Sequence, residues 1–160
     1  MKASFALPLL FNLFAASGAL AHPIAKIKTY GGYTLQPYTY EITVDSDGTV
    51  TAENTVGDYA NPATSIVTNA LIATLNPAIV KAIQDSIASA QTQELVPKNP
   101  EAPACVDAPI TEYWAMNSAR KPTTLLAKVE NCQDYILNGY QGLQAIDLLK
   151  SLKALSIPVR

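Results

Sequence analysis

Residues 38–56 carry a clear period-two pattern. Tyr38, Tyr40, Ile42 and Val44 fall on one side, and Thr39, Glu41 and Thr43 on the other, as on a half-buried strand. The run "DSDG" then supplies a turn, with Gly48 free to take positive φ, and Val50, Ala52 and Val56 carry the return. A β-hairpin at about 38–44 and 49–55 is the expectation. Upstream, "KIKTYGGY" suggests a short edge strand, with a bend at Gly31-Gly32.

The period then changes. "TSIVTNALIATL" reads as a short helix capped by Thr64 or Ser65, with Leu71, Ile72 and Leu75 on one side. Asn76-Pro77 restarts it, because Asn suits a cap and Pro suits the first helical turn. Beyond it Ile79, Ile83 and Ile87 recur every four residues, with Val80 widening the apolar stripe. From Gln91 to Pro109 the pattern lapses, and Pro97, Pro100, Pro103 and Pro109 mark an extended crossing loop at 91–109.

"ITEYWAM" and "TTLLAKVE", joined by the polar turn "NSARKP", form a second expected hairpin, carried by Tyr113, Trp114, Leu125, Leu126 and Val129. In "YQGLQAIDLLKSLKAL", Leu143, Ile146, Leu149 and Leu152 follow helical spacing. Lys150 and Lys153 fall in the closing turns, where a cation favours the helix dipole. The order hairpin-helix-hairpin-helix points to an α+β fold: a four-stranded antiparallel sheet with helices packed on one face and one disulfide.

Composition places this fold outside the cell. "MKASFALPLLFNLFAASGALA" has one basic residue, an apolar run and a closing Ala19-Leu20-Ala21, the pattern of a secretory signal peptide over residues 1–21. Residues 22–160 then form one secreted domain starting at His22. The net charge is −2 over the whole chain, one unit more negative without Lys2. No block of either sign offers a footprint for nucleic acid, and no later apolar segment reaches membrane length. Cys105 and Cys132 are the only cysteines, and a secreted route makes one internal bridge the default over free thiols or an intermolecular link. Both fall near the open end of the second hairpin, so a bridge would clamp its base. Closing that loop contributes roughly 3–4 kcal/mol in the chain-entropy account.

His22 is the single histidine. As an N-terminal residue it would offer an amine and Nδ1 to Cu(II), but no second imidazole exists to complete a histidine brace. His22 is therefore only a weak metal candidate, read as a frayed terminus. The same shortage argues against Ser-His-Asp, Cys-His and histidine-based nuclease chemistry. Carboxylate-pair hydrolysis needs only two acids. Glu41, Glu53, Asp107, Glu112 and Glu130 lie on or beside expected strands, where a solvated surface acid is the ordinary reading. Asp45 and Asp47 in "DSDG" lack the further ligands of a calcium loop, and no fingerprint asks for a cofactor.

Tyrosine stands out: five of the eight lie between Tyr30 and Tyr59. Tyr and Trp are enriched where one protein recognises another. Tyr38 and Tyr40 are explained as core-face residues, so Tyr30, Tyr33 and Trp114 are the candidate partner-binding residues. Exposed aromatics also serve sugar-binding platforms.

The leader "MKASFALPLL…ALAHPI" before a short, low-cysteine domain resembles small secreted fungal proteins of the effector-like kind. The order of "ITVDSDGTVT", a helix, "PACVDAPITEYW" and "AKVENCQDY" before a final helix resembles emfourin-like protease-inhibitor domains. These likenesses imply a secreted, non-catalytic protein acting on an extracellular or host protein, in one version a peptidase. A small hydrolase or binder of wall polysaccharide is the alternative.

Overall fold

The computed structural model describes residues 20–31, 37–57, 64–103, 108–130 and 132–155. The expected leader up to Ala19, Tyr33, Cys105 and Asp107 therefore lie outside the described residues.

Eight strands and two helices occur: β1 (Pro23–Gly31), β2 (Tyr38–Asp45), β3 (Thr49–Val56), β4 (Ile66–Thr74), α1 (Pro77–Ala90), β5 (Leu95–Pro97), β6 (Pro109–Met116), β7 (Pro122–Val129), β8 (Tyr135–Leu137) and α2 (Tyr140–Leu155). The strands form one sheet in the order β4-β3-β2-β1-β6-β7-β8-β5, antiparallel at every pairing. The expected four-stranded sheet is thus corrected to eight strands. Cys132 is disulfide-bonded. Cys105, the chain's only other cysteine, lies outside the described residues, so no geometry of a Cys105–Cys132 bridge enters the fold.

Both expected hairpins form, with Ile42 opposite Ala52 and Glu112 opposite Lys128. The tight turn before β3 rests on Gly48, at φ 91°, where an added Cβ would run into the carbonyl oxygen of Leu75. The sheet grew because two segments paired differently from expectation. "KIKTY" is the centre of the sheet, flanked by β2 and β6. Its lysines face away from the core, where Glu41 meets both Lys26 and Lys28. "IVTNALIAT" is strand β4 and not the first half of a helix. Its β-branched Ile66, Val67, Thr68 and Ile72 suit a pleated surface, and β3 offers a free edge to pair with. The crossing loop also contains β5, which closes the far edge against β8.

The helix beginning at Pro77 follows the expected cap, with the Asn76 side chain accepting from the Ile79 amide at 2.9 Å. Its buried face is Val80, Ile83, Ser86, Ile87 and Ala90; Ile79 is exposed, so the core stripe is turned by one position. In α2 the buried set is Ala145, Ile146, Leu149 and Leu152, while Leu143 is exposed. These helical faces and the sheet residues Ala25, Ile27, Ile42, Val44, Val50, Ala52, Tyr113, Ala115, Leu126 and Ala127 make one apolar cluster. Helices therefore cover one face of the sheet and leave the opposite face open.

Candidate functional site

The open face is built by alternation along β1 from Ala25 onward and along β6. Where Ile27 and Tyr113 point into the core, Lys26, Lys28, Tyr30, Glu112 and Trp114 point the other way. Strand pairing then lays a row of charges across five strands: Glu53, Glu41, Lys28, Glu112 and Lys128 are successive cross-strand partners.

Glu112 organises the aromatic end of this face. Its carboxylate accepts the Tyr30 hydroxyl at 2.8 Å and the Trp114 indole N–H at 3.0 Å. Burial first, and then the hydrogen bond and charge of Glu112, push the Tyr30 phenol up to about 12. Tyr30 is accordingly a neutral donor at physiological pH, and both aromatic side chains are held in fixed orientations. Beside them Lys26 reaches Glu41 at 2.6 Å and Lys28 reaches it at 3.4 Å. Burial works to raise the Glu41 carboxyl, but the two ammonium groups outweigh it and hold it below the usual carboxylate range. Glu130 pairs with Lys128 and keeps that ammonium charged.

Of the three expected partner-binding residues, Tyr30 and Trp114 are therefore brought together, and Tyr33 lies outside the described residues. Glu112, weighed in the sequence only as a hydrolytic acid, is the residue that joins them. The signal available was parity: Lys26, Lys28 and Tyr30 share one side of β1, as Glu112 and Trp114 share one side of β6.

Of the other candidate acids, Asp107 lies outside the described residues. Glu53 lies opposite Glu41, and Glu41 is held ionised, the reverse of what a general acid needs. Asp47 is also held down, by hydrogen bonds from Thr49 at the hairpin turn. His22 is not frayed. Its carbonyl accepts the Ser46 amide at 2.8 Å, its own amide donates to Ser46 Oγ at 3.2 Å, and its Nδ1 lies 3.3 Å from the same hydroxyl. Among the described residues no three His, Cys, Asp or Glu side chains gather as a metal site.

On the helix side, a concavity of about 400 Å³ is lined by Thr111, Tyr113, Asp134, Lys150 and Lys153, among others. The Lys153 ammonium donates to Thr111 Oγ1 at 2.8 Å, so it packs onto the sheet and does not simply cap the helix end. Burial lowers its pKa. Burial and the Asp134 charge push the Tyr113 phenol up to about 12. Asp134 Oδ1 is buried without a hydrogen-bond partner. These groups together make a polar recess against the helix-side face of the sheet.

Comparison with known protein families and with curated proteins finds no match to this chain.

Proposed function

We propose that the chain is a small secreted, non-catalytic binding protein of the effector-like kind. It engages an extracellular or host protein through the open sheet face around Tyr30, Glu112 and Trp114, one concrete form being inhibition of a peptidase. The observation that carries this reading is the pair of bonds from Tyr30 and Trp114 to one carboxylate. Aromatic anchors fixed before binding lose little side-chain entropy when a partner lands on them. Around them Lys26 and Lys28 pair with Glu41, and Lys128 pairs with Glu130, which suits a polar rim that sets register and partner choice.

Hydrolysis of wall polysaccharide by paired carboxylates is the weaker reading, because Glu41, one acid of the row, is stabilised in its ionised form by two lysines. The test is to incubate chain beginning at His22 with wall glycans and, separately, with metallo-, serine and cysteine peptidases. Stoichiometric inhibition of one peptidase class, weakened by Trp114→Ala, is the expected result. Glycan release abolished by Glu112→Gln or Glu41→Gln would overturn the proposal.

A further inference from the structure

The two edges of the sheet are built differently. β5 is three residues long, ends in Pro97 and is flanked by Glu94 and Lys98. Shortness, proline and charge are the usual means of preventing edge-to-edge pairing. β4, at the other edge, has nine residues, no proline and no charge. Its residues Ile66–Leu71 are exposed on both faces, with Ile66 66 %, Val67 52 % and Leu71 65 % accessible. Such an edge invites another strand.

The sequence of β4 indicates which strand. Ile66-Val67-Thr68-Asn69-Ala70-Leu71-Ile72 has the same order of apolar and small or polar positions from either end, centred on Asn69. An antiparallel copy related by a two-fold axis at Asn69 sets Val67 opposite Leu71, Leu71 opposite Val67 and Asn69 opposite Asn69. On the other side of the sheet Thr68 faces Ala70, while Ile72 is taken up by the bulge of β4 and packs against the core. This is the self-complementarity that an isologous interface demands, and the two Val67–Leu71 contacts bury apolar side chains that are exposed in the single chain. The nearest acid in that row, Glu53, is the direct partner of Asn69 on β3. Two copies of Glu53 would be three strand spacings apart, roughly 14 Å, beyond the screening length of about 8 Å at physiological ionic strength.

We infer that β4 pairs with β4 of a second copy of this chain, giving an antiparallel dimer with one sheet of twice eight strands. A two-fold axis perpendicular to the sheet places both open faces on the same side. The dimer would then present two Tyr30–Glu112–Trp114 sites together. That consequence rests on the proposed function, whereas the strand pairing does not.

The test is sedimentation of chain beginning at His22 over a concentration series, beside Val67→Lys/Leu71→Lys. The wild type should show twice the monomer mass. The double variant should be monomeric, with a dissociation constant raised at least about tenfold by the opposed lysines and an unchanged circular dichroism spectrum. In parallel, Asn69→Cys should form a disulfide-linked dimer on mild oxidation, whereas Ser89→Cys on exposed helix α1 should not. This arm decides the matter even if the lysine variant fails to fold. A wild type that stays monomeric, or an Asn69→Cys chain that does not cross-link, overturns the inference. So does a dimer that survives the lysine pair intact, because another surface would then be responsible. Binding of an unrelated extended peptide to β4 of a monomeric wild type would assign the edge to a foreign strand instead.

Discussion

Replacing Glu112 removes the acceptor shared by Tyr30 and Trp114, and the consequence can be worked in two independent observables. Hydrogen bonds to a charged group contribute roughly 1.5–3 kcal/mol each. Both bonds are only partly buried, so the lower figure applies and water can recover part of the loss at the freed donors. Glu112→Ala should therefore cost about 2 kcal/mol in urea unfolding with an unchanged m value, and Glu112→Gln, which keeps one acceptor oxygen, about half of that. A cycle pairing Glu112→Ala with Tyr30→Phe should return a coupling of about 1 kcal/mol. The second observable is phenolate absorbance on alkaline titration. Tyr30 and Tyr113 should both titrate at about 12 in the wild type. In Glu112→Gln, Tyr30 should move toward 10 because two of its upward influences come from Glu112. Tyr113, raised by burial and Asp134, should stay at about 12. A loss below about 0.5 kcal/mol together with an unmoved Tyr30 titration would refute the role given to Glu112.

Three further outcomes follow from other parts of the molecule. Leu126→Ala, at a side chain with no solvent exposure, should destabilise the fold by about 2–5 kcal/mol in the same unfolding assay. Because the Glu41 carboxyl is held below its ordinary value of 4.5, its contribution is fully present above that pH and is lost as pH falls through the lower, folded value. A Glu41→Gln chain should accordingly lose less stability than the wild type on acidification in a pH-stepped melt. Both raised tyrosines work at the opposite end. The unfolded chain releases their protons near pH 10 and the folded one only near 12, so stability should fall across that window and Tyr30→Phe should flatten the fall.

Much of the hairpin and helix framework was legible from periodicity. Glu41–Ala52 alternates because one face of β2 and β3 is core there and the other is open, with the pattern interrupted at Asn54, and α2 spans the segment that its leucine spacing indicated. β4 was not legible as a strand. A short apolar run holding Leu71, Ile72 and Leu75 satisfies helical spacing as well as strand packing, and the choice was made by the pairing partner that β3 supplies. β1, expected as a short edge strand, lies instead between β2 and β6. Its lysines are neutralised across the sheet by Glu41, a long-range contact that no local pattern contains. β5 and β8, three residues each, exist only as additions beyond β7. Tyr30 and Trp114 could be nominated by residue type, but their meeting at Glu112 depends on β1 lying beside β6, a pairing between distant parts of the chain.

The open face can be tested directly by differential lysine labelling in fluid from the protein's natural setting, compared with buffer. Lys26, Lys28 and Lys128 belong to the open face, whereas Lys81 sits on exposed helix α1 and serves as the internal reference. The three open-face lysines should become protected while Lys81 labels as before, and Trp114→Ala should abolish the protection. Protection confined to Lys81, or open-face protection that persists in Trp114→Ala, would contradict the proposed binding through this face.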